Sequence, residues 1–191
     1  MTRPILDMLE QGGAYIHNCF LLPEDFLELE KKFMDYDFFA DYQPHSEYYG
    51  NRLQAYPVYE TDELSVIDPD LNSKVESRVK EIVGDEITEF SARLRYVDMN
   101  EVKQSMQSQK YGIRHTDGKH CAGVLYFEQA LDGGTAIYRN QFDQKPDTEV
   151  AAYPNRAVIY NGQRWHAPCN DFTYDKRKII CFFFNVDLDK Y

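Results

Sequence analysis

The spacing of apolar residues predicts two helices in the first half of the chain. Residues 23–36 place Phe26, Leu29 and Phe33 at helical spacing, and residues 68–84 carry an apolar stripe of the same period. Each stretch has a proline at its first turn, and a glycine ends the second one. Because an apolar stripe must be buried, we expect the second helix to pack on the back of a sheet.

The second half of the chain changes to the short period of β-strands. In residues 90–99, Phe90 and Leu94 share one face of the predicted strand, and Arg93 and Arg95 share the other. A short opening strand is also expected at residues 14–22. Further strands are predicted around residues 112–115, 121–127, 134–138, 149–152, 156–160, 163–167 and 178–186.

Turn and loop signals separate these elements. Residues 132–134 (Asp-Gly-Gly) predict a tight turn, and residues 161–162 (Asn-Gly) have the sequence of a two-residue hairpin. Residues 100–110 are polar and predict a loop. Residues 36–60 are rich in Tyr and Phe without a clean period, which fits either an irregular region held to the core by its rings or a substrate-facing loop.

This order of elements predicts an α+β, mainly β fold. At 191 residues the chain fits one domain with a substantial core. We expect residues 1–89 to hold a strand, the helices and the Tyr-rich loop. Residues 90–186 would then form a closed antiparallel sandwich of the jelly-roll kind.

Composition and charge limit the function. The formal net charge of −11 disfavours a nucleic-acid partner, because phosphate contacts need a basic surface, and it favours cationic over anionic substrates. No apolar run is long enough to span a bilayer, and acidic residues interrupt the N-terminal stretch where a secretory signal would be apolar. We therefore expect a cytoplasmic protein with no membrane partner. Three of the four cysteines have apolar neighbours and are predicted to be buried free thiols.

One histidine–aspartate pair suggests metal chemistry. His115 and Asp117 are two residues apart, so both side chains point to the same side of an extended segment. A two-histidine, one-carboxylate site also needs a ligand from a distant strand, and His166 is a candidate. Alone, the pair is weak evidence, and His166 could be an ordinary buried histidine. Their joint placement in a β-rich region predicts a metal site.

A basic residue follows this candidate site in the sequence. In the predicted strand 178–186, Arg177 shares a face with Ile179 and Cys181. If that face is interior, the guanidinium needs an anionic partner, and a small dicarboxylate would provide one through a bidentate pair. The alternative is a surface arginine at a strand end. The choice between Arg177 and Lys178 remains open from the sequence.

Residues 90–186 resemble the 2-oxoglutarate- and Fe(II)-dependent dioxygenases, specifically the prolyl-hydroxylase-like branch. The similar motifs are RHTD (114–117), GVLYFE (123–128), GGTAIY (133–138), the distal His166 and the trailing Arg177. The opening residues AYIHNCFLLPEDFLEL also resemble the usual start of that family. The spacing from His166 to Arg177 is slightly longer than the tightest form of the family pattern.

The resemblance implies a double-stranded β-helix with the N-terminal helices packed on its outer sheet face. His115, Asp117 and His166 would be the Fe(II) ligands and catalytic residues, and Arg177 would bind the distal carboxylate of 2-oxoglutarate, assisted by Tyr126. The implied reaction uses dioxygen and 2-oxoglutarate to hydroxylate an amino-acid side chain of a protein or a small molecule, with succinate and CO2 as co-products. The carboxylate of Asp117 favours hydroxylation, because halogenating relatives lack it.

A second class of protein fits part of this pattern. A cupin-like, non-redox metal protein, acting as an isomerase or a ligand-binding module, would bind metal in a jelly roll without 2-oxoglutarate. Such a protein does not need Arg177. A degenerate family member kept for protein interaction is a third interpretation, and the intact set of four site residues argues against it.

Overall fold

Two antiparallel sheets and a helical N-terminal part form the fold. The computed structural model describes residues 4–41, 57–84, 87–106 and 109–186. Its helices are α1 (Pro4–Glu10), α2 (Pro23–Lys32), α3 (Leu64–Ile67), α4 (Pro69–Val83) and α5 (Met99–Met106). Its strands are β1 (Ala14–Asn18), β2 (Phe39–Asp41), β3 (Val58–Glu60), β4 (Ile87–Asp98), β5 (Cys121–Tyr126), β6 (Ala130–Tyr138), β7 (Thr148–Ala152), β8 (Arg156–Asn161), β9 (Trp165–Cys169) and β10 (Lys176–Val186).

The larger sheet has the strand order β1-β8-β5-β10-β4-β3-β2, and the smaller one has the order β7-β6-β9. All paired strands are antiparallel, and consecutive strands are often not neighbours. Side chains from both sheets fill one layer between them, including Val124 and Ile179 from the larger sheet and Ile137 and Val150 from the smaller one. This arrangement confirms the predicted mainly β class, and its antiparallel sheets are consistent with a jelly roll.

The outer face of the larger sheet buries the helical part of the chain. Leu94 of β4 and Phe182 of β10 belong to the same apolar cluster as Leu29 of α2 and Val75 of α4. Each such fully buried side chain contributes about 1.5–3 kcal/mol. Gly123 of β5 lies under the Phe182 ring, where an added Cβ would lie 2.1 Å from a ring carbon. The strand alternation therefore separates a structural face from the face that turns toward the smaller sheet.

Asn155 attaches the N-terminal segment to the β-core. It lies between β7 and β8 with φ of 58°, a conformation that asparagine tolerates better than most residues. Its side chain accepts a hydrogen bond from Leu21 N and donates one to Leu21 O, both at 2.8 Å. Its own carbonyl accepts from Phe20 N at 2.9 Å. One polar side chain thus pairs with both backbone hydrogen-bonding groups of Leu21, between β1 and α2.

Two turn predictions need correction. Residues 161–162 do begin a turn between β8 and β9, in which Arg164 N donates to Asn161 O at 3.0 Å. This turn is not a hairpin, because both edges of β8 are already paired, with β1 and β5, and β9 joins the other sheet beside β6. Residues 132–134 do not separate two strands. They lie within β6, where the pairing register with β7 shifts between Ala130 and Gly134.

Other local predictions also need correction. Residues 100–110 were expected to be a loop, but residues 99–106 form α5, which Asp98 caps by accepting from Asn100 N at 3.0 Å and Glu101 N at 3.1 Å. Residues 112–115 do not form a strand, and within them only His115 makes an isolated bridge. Helix α1 was not predicted. Most of the Tyr-rich stretch, residues 42–56, lies outside the described residues, and its flanks form β2 and β3.

Candidate metal centre and its cavity

Two separate segments meet at the candidate metal centre. His115 precedes β5 and forms an isolated antiparallel bridge with His166 of β9, with both backbone N–H···O distances at 2.9 Å. The Asp117 N–H donates to Gly162 O at 2.7 Å. Gly162 follows β8, so these bonds join the loop before β5 to the connection between the two sheets. The backbone thereby brings together three side chains that the sequence separates.

The three side chains converge at their polar ends. Each of His115, Asp117 and His166 offers one ligand atom, and these atoms all lie within 4.8 Å of one another. The Asp117 carboxylate lies 3.9 Å from His115 Nε2 and 3.3 Å from His166 Nε2. The two imidazole centroids are 4.3 Å apart. This separation allows all three groups to bind one ion.

The second nitrogen of each imidazole is held by the backbone. His115 Nδ1 lies 3.1 Å from Ile113 O, and His166 Nδ1 lies 2.9 Å from Arg164 O. A carbonyl only accepts, so each Nδ1 carries the proton and donates it. Each Nε2 then presents a lone pair toward Asp117. A hydrogen-bonded Nδ1 is the usual support for a metal-binding imidazole.

A buried oxygen of Asp117 also supports a metal site. Its Oδ2 is buried and accepts no hydrogen bond from the described residues. Leaving a carboxylate oxygen in that state is unfavourable unless a cation compensates its charge. Two imidazoles and one carboxylate with open positions suit a non-haem Fe(II) ion. These residues therefore fit the metal that the sequence predicted.

A cavity of about 110 Å³ adjoins this centre, between the two sheets. Its apolar wall comes mainly from strands β4, β5, β9 and β10 and from the segment before His115. The apolar lining residues include Val97, Ile113, Val124, Ala167, Pro168, Ile179 and Phe183. Arg95 and Arg177 contribute the basic groups of the lining. The lining therefore combines three residues that could hold a metal with basic groups that could hold an anion.

Arg177 faces the cavity from β10. Its Nη2 donates to Gly134 O at 2.9 Å, and its Nε is buried without a partner among the described residues. Gly134 has φ of 115°, and a Cβ there would lie 1.9 Å from Val150 O, so only glycine allows this carbonyl position. The guanidinium is therefore oriented by the backbone and still has an unsatisfied donor.

Lys178 points to the opposite face of β10. Its Nζ lies 3.4 Å from Glu128 Oε1 and 5.8 Å from the centroid of the Phe33 ring, which belongs to the outer apolar cluster. Of the two basic candidates, Arg177 alone lies in the cavity lining. Burial raises the pKa of Glu128, and the backbone N–H and side chain of Lys178 oppose that shift.

Tyr126 lies beside Arg177 but is fully buried in β5. The Arg177 Cζ is 5.8 Å from its ring centroid, and its hydroxyl is 2.7 Å from Thr135 Oγ1. Thr135, which was not predicted as a site residue, lines the cavity, whereas Tyr126 lies behind it. Burial raises the pKa of Tyr126, with Arg177 and the Thr135 hydrogen bond acting against the shift. A contact between Tyr126 and a ligand would need Thr135 to give way.

Sequence reasoning missed two further lining residues. Arg95 lies on the face of β4 that the sequence alternation placed opposite the apolar residues, and it lines the cavity. Its Nε donates a hydrogen bond to Glu60 at 2.7 Å. Tyr160 of β8 is buried beside His166. The period of two would have identified both residues if the inner face of each strand had been assigned in advance.

The cysteines do not extend the donor set. Cys121, Cys169 and Cys181 are buried free thiols, as predicted. Burial raises the pKa of Cys121 and of Cys169 to about 12 and raises that of Cys181. Because metals bind the thiolate, these protonated side chains act as apolar filling. Within the described part of the chain, no helix has the length and apolar character needed to cross a membrane.

Comparison with known proteins gives structural likeness only. No protein-family model matches the sequence, and neither does any curated protein. A 2OG-Fe(II) oxygenase family oxidoreductase from Burkholderia pseudomallei aligns with a TM-score of 0.59 and 9% identity, over 95% of this chain and 88% of that chain. A prolyl hydroxylase from Trichoplax adhaerens, in complex with a peptide fragment, aligns with a TM-score of 0.58 and 16% identity, over 94% and 86%.

A third structure carries ligands that bear on the cavity. HygX from Streptomyces hygroscopicus, with nickel and 2-oxoglutarate bound, aligns with a TM-score of 0.58 and 10% identity, over 98% of this chain and 88% of that chain. Another HygX structure also contains hygromycin B. Across these alignments nearly the whole chain is covered at very low identity. The chain therefore has the fold of the 2-oxoglutarate- and Fe(II)-dependent oxygenases.

Proposed function

We propose that this protein is an Fe(II)- and 2-oxoglutarate-dependent oxygenase that hydroxylates an amino-acid side chain of a protein or a small molecule. The observation that carries the proposal is one cavity whose walls hold a two-histidine, one-carboxylate cluster and a half-buried arginine with a buried, unpaired Nε among the described residues. A non-redox jelly-roll metal protein has no need for the arginine.

The metal would be held by His115 Nε2, His166 Nε2 and a carboxylate oxygen of Asp117. The protonated Nδ1 atoms fix both rings through Ile113 O and Arg164 O, so the ligands require little reorganisation. When bound, Fe(II) with 2-oxoglutarate supplies the dioxygen chemistry that oxidises a substrate C–H bond and releases succinate and CO2. The three residues would supply three ligand atoms and leave further positions for a co-substrate and dioxygen.

Arg177 would bind the distal carboxylate of 2-oxoglutarate. Its Nη2 is already committed to Gly134 O, and the unpaired Nε remains as a donor toward an anion. A charged guanidinium with an unmet donor in an apolar cavity favours an anionic ligand. Thr135 offers a neighbouring hydroxyl, supported by Tyr126 from behind. The apolar wall would exclude water from the reacting groups.

The substrate would enter where the cavity opens, beyond the co-substrate. The two structures described above with substrates or peptides bound hold a peptide fragment and hygromycin B, so this fold accepts both kinds of molecule. The net charge of −11 favours a cationic substrate over an anionic one. Phe183 and Arg95 line the cavity and would be the first residues to change in a search for substrate contacts.

The proposal is tested by an anaerobic titration of the purified protein with Fe(II) and 2-oxoglutarate, followed by visible absorption. Chelation of the metal by a 2-oxo acid should give a weak charge-transfer band in the wild type. We expect Arg177→Ala to weaken 2-oxoglutarate binding about 30-fold or more, because a charged hydrogen-bonded pair is lost. Lys178→Ala is the matched control and should bind as the wild type does.

The possible results separate the two functional classes. A band that depends on Arg177 and not on Lys178 supports the oxygenase. Iron binding without a band for any 2-oxo acid would support the cupin-like alternative instead. If Arg177→Ala and Lys178→Ala weaken 2-oxoglutarate binding equally, Arg177 has no specific role in binding the co-substrate.

A further inference from the structure

Arg164 lies in the connection between β8 and β9, and its backbone holds one of the candidate metal ligands. Its carbonyl accepts a hydrogen bond from His166 Nδ1 at 2.9 Å, and its own N–H donates to Asn161 O at 3.0 Å. Only Trp165 separates it from His166 in the sequence. Because the acceptor belongs to such a short segment, a rotation of the Arg164 peptide group would change the direction in which the His166 ring is held.

The side chain of Arg164 reaches three groups in other parts of the chain. Its Nη1 donates to Gly12 O at 3.0 Å, in the turn between α1 and β1, and its Nε donates to Tyr138 O at 3.3 Å, at the end of β6. Its Nη2 donates to Asp147 Oδ2 at 2.7 Å, just before β7. A guanidinium is planar and has fixed donor directions, so acceptors on three elements define its position.

Two of these attachment points are themselves fixed. Asp147 N donates to Ile137 O at 2.8 Å, which joins the segment before β7 to β6. Gly12 has φ of 86°, and a Cβ at this position would lie 1.6 Å from Arg164 Nη1. The turn accepts the guanidinium only because residue 12 is glycine.

We propose that Arg164 is a positioning residue of the metal centre, whose side chain fixes the carbonyl that orients His166. The proposal rests on the function proposed above, through its metal centre. The α1–β1 turn, 152 residues from Arg164 in the sequence, then becomes part of the support of a metal ligand. A change at Gly12 should therefore alter metal binding, although Gly12 is not one of the ligands.

The test is a titration of the metal-free protein with Co(II), which binds nitrogen and oxygen ligands as Fe(II) does. The visible absorption of the bound ion reports both the Kd and the arrangement of its ligands. We expect Arg164→Gln to raise the Kd about tenfold and to shift the absorption bands, because the support of a metal-binding histidine is lost. Arg164→Lys keeps the charge beside Asp147 without the planar group, so its Kd should lie between the two.

Arg139→Gln is the matched control. Arg139 Nε lies 3.8 Å from the same Oδ2 of Asp147, but its side chain is 80% exposed. This substitution removes one positive charge, as Arg164→Gln does, and leaves the support of His166 in place. Its Kd and its absorption bands should match those of the wild type.

Gly12→Ala tests the other end of the contact while Arg164 is unchanged. The added methyl group displaces the guanidinium, so the Kd for Co(II) should rise towards that of Arg164→Gln. Gly84→Ala is its control, because Gly84 follows α4 with φ of 112° and carries a similar backbone cost away from the metal centre. That variant should bind Co(II) as the wild type does.

An arginine with a purely structural role gives a different result. Its loss would lower the Tm of the metal-free protein and leave the Kd and the absorption bands of the folded protein unchanged, which would overturn the proposal. Wild-type affinity in Arg164→Lys would reduce the role to charge and would also overturn it. A wild-type protein that binds no Co(II) removes the metal centre and the proposed function before any variant is compared, so the two failures are distinguishable.

Discussion

The carboxylate of Asp117 lies next to the Nε2 lone pairs of His115 and His166. Its Oδ2 accepts no hydrogen bond from the described residues. With neutral imidazoles, this arrangement of acceptors is unfavourable without a cation. We expect Asp117→Asn to raise the free energy of unfolding of the metal-free protein by about 1 kcal/mol. Urea denaturation near pH 8, where histidine is neutral, measures the change.

The same substitution should remove the stabilisation by metal. Wild-type protein at an Fe(II) concentration of one hundred times Kd should gain about 2.7 kcal/mol. Asp117→Asn should gain almost nothing. Asp132→Asn, at an exposed position of β6, serves as the control and should keep the full gain. Undiminished metal stabilisation in Asp117→Asn would exclude this carboxylate from the site.

Glu128 gives a prediction of pH dependence. Burial raises its pKa from the ordinary value of 4.5, so the folded protein holds this proton more tightly than the unfolded chain does. In the wild type, protonated Glu128 stabilises the fold fully below pH 4.5, the ordinary pKa. This contribution is lost as the pH rises through the folded-state pKa. Glu128→Gln cannot titrate. Its free energy of unfolding, relative to wild type, should therefore increase as pH rises through that window.

Chemical denaturation of both proteins between acidic and neutral pH tests this expectation. Glu24→Gln, at an exposed position of α2, is the control and should follow the wild-type profile. A difference between Glu128→Gln and wild type that stays constant, or shrinks with rising pH, would show that Lys178 outweighs the effect of burial.

At the scale of single elements, the period of two predicted more than the turn signals did. Alternation in β10 placed Arg177, Ile179 and Cys181 on one face, and these residues line the cavity. The Asn161-Gly162 signal correctly marked a turn, but the hairpin inferred from it does not form, because strand pairing is decided across the sheet, where β8 already has two neighbours. A turn sequence reports local backbone preference and carries no information about which edge is free.

Helix α5 shows that a local signal can also be missed. Its sequence is mostly polar, and among residues 99–104, whose side chains the structure describes, Met99 and Val102 are buried, so apolar periodicity was weak. Asp98 with Glu101 three residues later has the spacing of a capping box, and Asp98 does cap the helix. The start of the helix was therefore predictable from its cap and not from its stripe.

Asn155 tests how strongly the N-terminal elements depend on the β-core. Asn155→Ala removes two hydrogen bonds to Leu21, leaves that backbone unsatisfied and places at positive φ a residue that tolerates this conformation less well than asparagine does. We expect a loss of about 3 kcal/mol in the free energy of unfolding. Asn155→Gly removes the same bonds without the backbone strain and should lose about 1 kcal/mol less. Urea denaturation followed by circular dichroism measures both, and equal losses would assign the whole effect to the side-chain bonds.

At the scale of the whole molecule, the metal centre depends on contacts that no local pattern encodes. The sequence supplied the types of the candidate ligands and the strand of His166, but not the irregular segment that carries His115 and Asp117. The His115–His166 bridge and the Asp117–Gly162 hydrogen bond, however, form only after the two sheets have assembled. The same holds for Thr135 and Tyr160, whose faces became known when each strand acquired neighbours. Site residues on regular strands are thus easier to predict than the contacts between them.

This dependence predicts where bound ligands stabilise the protein. Fe(II) and 2-oxoglutarate would bridge the segment before β5, strand β9 and Arg177 of β10, so they should suppress local opening between the sheets. We expect amide hydrogen exchange in residues 111–117 and 165–169 to slow at least about tenfold, with helices α2 and α4 on the outer face little changed.

Exchange measured by mass spectrometry under anaerobic conditions, with and without both ligands, checks this pattern. Asp117→Asn is the control, because it should keep the backbone bridges while it loses a proposed metal ligand. In that variant, protection of the two segments should not respond to the ligands. Equal slowing across the outer helices and the cavity segments would mean that binding stabilises only global unfolding. The two sheets would then already be fixed to each other before any ligand enters, and the site would be preformed instead of completed by its co-substrate.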